Sequence, residues 1–185
     1  MPKKSLRIAR AKAGLIVVDI QTRLLPAIFE KERVVNNTVL LIKGAAILGV
    51  PIFATEQYPK GLGGTHPQIA DALAGVAPLA KVAFSACGAA GLMTALAKRK
   101  VADVILCGIE SHVCITQTCL DLLSRAFRVF IVADAVSART AENYLLGLER
   151  MRNAGAIMVS TEMLLFELLE KAGTDEFKQI LALVK

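Results

Sequence analysis

Four short stretches of this chain, residues 14–20, 51–55, 101–109 and 128–134, are dominated by apolar, often β-branched side chains that do not alternate with polar ones. Runs of that length and composition form strands rather than helices. A strand that is apolar at successive positions shows a hydrophobic side chain to each face, so both faces must be covered. Between these runs the spacing becomes helical. Val35, Val39, Ile42 and Ala46 share one helix face, as do Ile115, Cys119 and Leu122, and also Tyr144, Leu148 and Met151. Strands of this kind alternating with helices specify an α/β domain, a mostly parallel sheet between two helical layers. Weaker strands are expected over residues 79–82 and 156–159, and a helix over 89–98. The helix over 140–153 stops at Gly155. Ser160 or Thr161 caps the next one, which runs to about Gly173, and Thr174 opens the last. Residues 56–67, rich in Gly and Pro, read as a long loop.

A length of 185 residues, 55% hydrophobic and 21% charged, suits one folded domain. The apolar runs fall well short of the ~18 residues of a membrane span. Residues 1–7 lead into no apolar signal core, so a cytoplasmic protein without a membrane partner is expected. Cys87, Cys107, Cys114 and Cys119 lack zinc-ligand and CxxC spacing and are expected as free thiols. His66 and His112 stand far apart, and no metal site is expected. The net charge of +6 is concentrated at one end, where Lys3, Lys4, Arg7, Arg10 and Lys12 have no acid among them. Residues 1–12 therefore read as a basic, solvated tail ahead of a single domain over 13–185. No aromatic stacking motif accompanies that charge, and a nucleic-acid partner is not expected.

In open α/β sheets, ligands bind beyond the carboxyl ends of the strands, where the strand order reverses. Three chemically useful residues fall at or near such ends: Asp19, Lys81 and Cys114. Cys114 follows the turn at Gly108 and stands near the start of a helix, whose partial positive charge favours thiolate. The carboxylate can take the thiol proton, the ammonium can hold nearby negative charge, and backbone amides in the turn can bind an oxyanion. Each residue also has a plain reading. A lone buried cysteine is usually a small apolar residue, Asp19 a cap or surface charge, and Lys81 a solvated lysine. Their shared placement is what marks a site. Cys107 and Cys119 lie on apolar faces and read as core, whereas Cys87, after Phe84 at a loop-to-helix junction, is core or pocket border. Asp19-Ile20-Gln21-Thr22 lacks the glycine turn of a dinucleotide site, and Gly61-Leu62-Gly63-Gly64 lacks the Lys and Ser or Thr of a P-loop. No nucleotide cofactor is expected.

Five segments carry a resemblance: Val17-Val18-Asp19-Ile20-Gln21, Thr55-Glu56-Gln57-Tyr58-Pro59-Lys60-Gly61-Leu62-Gly63, Lys81-Val82-Ala83-Phe84-Ser85, Gly108-Ile109-Glu110-Ser111-His112-Val113-Cys114 and Val132-Ala133-Asp134-Ala135. Along nearly its whole length the chain resembles the isochorismatase-like cysteine hydrolases, with the second and fourth segments closest to the subgroup of isochorismatase domain-containing proteins. The resemblance implies a doubly wound, six-stranded parallel sheet of order 3-2-1-4-5-6 and assembly as a homo-oligomer. It implies Asp19 as base, Lys81 as charge partner and Cys114 as nucleophile. It also implies a cis peptide between Ile109 and Glu110 and an oxyanion hole from the amides of Glu110 and Cys114. Gln21, Gln57, Tyr58, Phe84 and Ile109 would surround a small-molecule substrate.

Two departures narrow the reaction. The nicotinamidases of this superfamily hold a metal with an Asp-x-His-type cluster after the second strand, where this chain reads Glu56-Gln57-Tyr58-Pro59. True isochorismatases lack the nucleophilic cysteine. The activity implied is metal- and cofactor-independent hydrolysis of a small amide or related C–N bond through a Cys114 thioester. The alternative is a catalytically silent scaffold that binds a small molecule or regulates a partner.

Overall fold

The structure, a computed structural model, describes residues 6–185; Lys3 and Lys4 of the basic stretch lie outside the described residues. The strands β1 (Ala13–Val18), β2 (Ile52–Gln57), β3 (Leu79–Lys81), β4 (Asp103–Ile109), β5 (Arg128–Ser137) and β6 (Ile157–Val159) form one sheet of order β3-β2-β1-β4-β5-β6. Every pairing is parallel, so the direction is the one the strand pattern predicts and the order the one the resemblance implies. The helices are α1 (Lys31–Ile47), α2 (Pro59–Leu62), α3 (Pro67–Leu73), α4 (Leu92–Lys98), α5 (Thr116–Ser124), α6 (Ala141–Asn153), α7 (Thr161–Leu169) and α8 (Asp175–Val184). No helix among the described residues is long and apolar enough to cross a membrane.

Period-two alternation divides the strands between two cores. Leu15, Val17, Ile105, Cys107, Ile109, Phe130 and Val132 face the core shared with α1, α3, α7 and α8. Ile16, Val18, Val104, Leu106, Val129 and Ile131 face the core shared with α4, α5 and α6. Each central strand thus loses both faces to hydrophobic packing, the largest favourable term in such a fold. Polar side chains set the helix starts: Thr140, Ser160 and Thr174 each accept a hydrogen bond from the backbone N–H three residues on.

Four expectations shift. The second strand runs on to Gln57, and Tyr58, at φ 37°, turns the chain into the short helix α2, so residues 56–67 are only partly irregular. The fifth strand extends to Ser137 because Val136 and Ser137 pair with Gly108 and Ile109 beyond a register shift. The seventh helix ends at Leu169, ahead of Gly173, with Glu170 at φ 64° as its cap. The basic stretch is a tail only in part. Ile8 is buried, and Ala9 N donates to Asp103 Oδ2 at 2.8 Å. Arg10 grips Glu176 with two N–H groups, at 2.8 and 2.6 Å. Apolar burial and ion pairing therefore dock the chain from Ile8 onward.

Candidate active site

The first strand ends on the carboxylate that the site is built around. Asp19 takes φ 54° and is fully buried, with both oxygens engaged. Its Oδ1 accepts from Thr55 Oγ1 at 2.8 Å, and its Oδ2 accepts from Lys81 Nζ at 2.6 Å. Two adjoining strand ends, β1 and β2, supply the acid and its hydroxyl donor; β3 supplies the cation. The three N–H groups of Lys81 are shared between Asp19 and four further acceptors, Gln57 Oε1 at 2.7 Å, the carbonyls of Ala83 and Phe84 at 3.2 and 2.9 Å, and Cys114 Sγ at 3.7 Å. An ammonium with no exposed side-chain surface needs such a shell, because an unpaired buried charge is strongly destabilising.

Cys114 enters from the centre of the sheet. Gly108, at φ 118°, turns the end of β4, and the peptide from Ile109 to Glu110 is cis. A π-helical turn, Ser111–Ile115, follows and places Cys114 just before α5. Thr118 Oγ1 donates to the Cys114 carbonyl at 2.6 Å and accepts from Ala86 N at 2.8 Å. On the outer side α6 approaches closely through Gly147, where a Cβ would come within 3.0 Å of the Ser111 carbonyl group. The Glu110 carbonyl accepts from Val113 N and Ile115 N, both at 3.1 Å, and ties the end of β4 to the turn that carries Cys114.

The structure thus brings Asp19, Lys81 and Cys114 together from three distant parts of the chain. It corrects the state of the thiol. Burial pushes Cys114 up to about 12; Asp19 adds to the rise, while Lys81 and the Glu110 amide only partly oppose it. The helix-start argument is outweighed because Cys114 precedes α5 and is only 7% exposed. At rest Cys114 therefore holds its proton as a thiol. Burial likewise pushes Cys107 and Cys119 up to about 12. All three fold to a state that binds the thiol proton more tightly than the unfolded chain. Their stabilisation is full below about pH 8.5 and is lost as the pH climbs toward about 12.

At pH 8, iodoacetamide is therefore expected to modify the half-buried Cys87 first, Cys114 slowly, and Cys107 and Cys119 most slowly. Peptide mass spectrometry over a time course checks this order. A Cys114 that alkylates faster than a free thiol would show that burial does not govern it.

The residues expected around the substrate divide. Tyr58 and Phe84, each 53% exposed, stand at the edge of the site. Gln21 is fully buried and braces backbone, donating to the carbonyls of Gln57 and Gly63 at 3.0 and 2.6 Å and accepting from Gln57 N at 2.8 Å. Gln57 orients Lys81. Ile109 is fully buried in the core on the α1 side, so its side chain packs against that core and does not line a pocket. The end of β2 and the loop after it are committed to internal contacts, with Glu56 Oε1 accepting from Thr65 N and Oγ1, both at 2.7 Å. Among the described residues, no group of three or more His, Cys, Asp or Glu side chains could hold a metal ion. Thr55, which engages the second Asp19 oxygen, has no role in the sequence reading; its signal is a hydroxyl ending the strand beside Asp19.

A doubly wound parallel α/β domain that gathers an acid, an ammonium and a thiol at its carboxyl edge defines the class. The chain belongs to the isochorismatase family: the isochorismatase domain model matches residues 13–163. The chain is 38% identical over 184 residues to isochorismatase domain-containing protein 2A of Mus musculus, covering 97% of this chain and 85% of that protein. The MAR1 ribonuclease structure from Caenorhabditis elegans is similar with a TM-score of 0.89 and 37% identity, over 96% of this chain and 92% of that one. The YcaC gene product of Escherichia coli, described as an octameric hydrolase of unknown specificity, shares the fold. Its TM-score is 0.89 at 21% identity, over 98% of this chain and 92% of that one.

Proposed function

We propose that this protein is a metal-independent cysteine hydrolase that cleaves a small amide or a related C–N bond. The observation that carries the reading is the convergence of Lys81 Nζ on Asp19 Oδ2 at 2.6 Å and on Cys114 Sγ at 3.7 Å. Asp19 takes the thiol proton as sulfur attacks the carbonyl carbon, and Lys81 balances the negative charge that forms. The Glu110 and Cys114 amides hold the tetrahedral oxyanion. The C–N bond breaks as the leaving nitrogen takes the proton from Asp19, which leaves an acyl-thioester on Cys114. Asp19 then removes a proton from water, the hydroxide attacks the thioester, and the acid departs as the thiol re-forms. A thiol near 12 at rest suits this order, since proton transfer accompanies attack and no free thiolate is stored.

The test is a screen of small primary amides followed by acid quench and intact mass spectrometry. The expected result is an acyl mass on the peptide bearing Cys114, and a fall in kcat of roughly 10³-fold or more in Cys114→Ala. Full turnover in Cys114→Ala on an identified substrate would overturn the mechanism. The scaffold reading predicts instead saturable binding with neither adduct nor product. An RNA-cleaving reading, suggested by the name of the nematode protein, has less support here. The cation of this site is buried and already shared among Asp19, Gln57 and two carbonyls, so it does not face a phosphate. Homo-oligomeric assembly, as described for YcaC, is part of the proposal. The exposed Leu145, Leu146 and Met163 are apolar surface that a second copy would cover.

A further inference from the structure

Between the ends of β1, β4 and β5 lies a cavity of about 310 Å³ lined by Arg23, Leu24, Ala27, Ile28, Glu110 and Arg139. β1 and β4 are the neighbours at which the strand order reverses, the position where open α/β sheets bind ligands. The cavity and the nucleophile share one residue. Glu110 borders the cavity, and its carbonyl oxygen accepts from Val113 N and Ile115 N, both at 3.1 Å, on either side of Cys114.

The charges in this cavity do not cancel. Arg139 Nε donates to Glu110 Oε1 at 2.8 Å, and the Arg139 side chain is 60% exposed. That bond uses one edge of the guanidinium and leaves the outer N–H groups turned to solvent. Arg23 Nη1 donates to the Gly61 carbonyl at 2.8 Å, and the side chain is also exposed. Two cations thus face one carboxylate. The remaining wall, Leu24, Ala27 and Ile28, is apolar. A guanidinium fork matches a carboxylate with two parallel N–H donors. A cavity of this make-up suits a short apolar body that ends in a carboxylate.

Resting on the reading of Cys114 as nucleophile, we propose that the substrates are small amides that also carry a carboxylate, anchored by Arg23 and Arg139 while the amide lies over Cys114. Glu110 keeps Arg139 aimed into the crevice and yields part of the guanidinium to the incoming anion. Succinamate and its neutral counterpart succinamide separate this anchor from the chemistry. Titration calorimetry on Cys114→Ala protein measures binding with turnover removed. Succinamate is expected to bind more tightly than succinamide, and to lose roughly tenfold or more in affinity in Arg139→Gln and in Arg23→Gln. Arg139→Lys should recover only part of the loss. Succinamide binding should be the same in every variant, which excludes a general disturbance of Glu110. Added salt should weaken succinamate alone.

With Cys114 present, the preference in kcat/KM for succinamate should fall by a similar factor in each arginine variant, through KM. If succinamate binds as described but no acyl adduct forms, the anchor stands and the nucleophile assignment fails. If succinamate binds no better than succinamide, or both arginine variants bind it as the parent does, the proposal is overturned.

Discussion

Asp19→Asn is expected to slow turnover by roughly 10³-fold or more and, at the same time, to make Cys114 alkylate several-fold faster at pH 8. The two readouts separate because Asp19 has two opposed effects on the sulfur. In the proposed mechanism it accepts the thiol proton and so opens the path to attack. As a fixed negative charge it raises the thiol, adding to the larger effect of burial. Asparagine keeps the shape and removes both charge and basicity. Lys81 keeps its bonds to Gln57 Oε1 and to the carbonyls of Ala83 and Phe84, so an ammonium still lies near Sγ to favour thiolate. Stability should fall as well, because one partner of a fully buried ion pair is lost. Breaking such a pair costs about 3–5 kcal/mol, roughly 10 °C in Tm for a chain of this size. Turnover, iodoacetamide rate and thermal melting on the same preparation check all three. A variant that keeps its activity, or whose thiol becomes slower, would show that Asp19 does not act on the sulfur in this way.

What the amino-acid sequence disclosed about this site follows from how parallel sheets are made. Strands apolar at every position are few and easy to place, and a charged residue at the end of one, such as Asp19 or Lys81, stands out against them. Cys114 was legible for the same reason, through the strand that ends at Ile109. The bracing residues were less accessible. Thr55 meets Asp19 and Gln21 meets Gln57 through pairings 36 positions apart, and such pairings depend on the register between neighbouring strands. Arg139 reaches Glu110 only because β5 runs on past its register shift to Ser137. The state of Cys114 was misjudged because burial, a property of the assembled core, outweighs the local helix start. The side of Ile109 was within reach: Ile105, Cys107 and Ile109 alternate onto one face, the face of the Cys107 that already read as core.

Gly108→Ala is expected to be the most damaging single methyl group in the protein, at about 3–5 kcal/mol, or roughly 10 °C in Tm. A Cβ at this position would lie 2.1 Å from the Val18 carbonyl oxygen and 2.7 Å from Val18 N. These are backbone atoms of a central strand. Val18 is held in register by Thr55 on one side and by Gly108 itself on the other, so it cannot retreat without carrying the sheet with it. The next residue along is Asp19, so any folded fraction that relieves the clash by moving β1 should also lose turnover. Gly108 has a second reason to be glycine, its φ of 118°, and Gly155 tells the two apart. It sits at φ 104° after α6, and a Cβ there would meet nothing within 4 Å. Gly155→Ala should therefore cost only the conformational part, about 1–2 kcal/mol, with turnover intact. Equal losses of Tm in the two variants would mean that backbone conformation, not close approach to Val18, dictates the glycine at 108. The larger loss at 108, joined to loss of turnover, would show that the turn delivering Cys114 is packed directly against the strand that delivers Asp19.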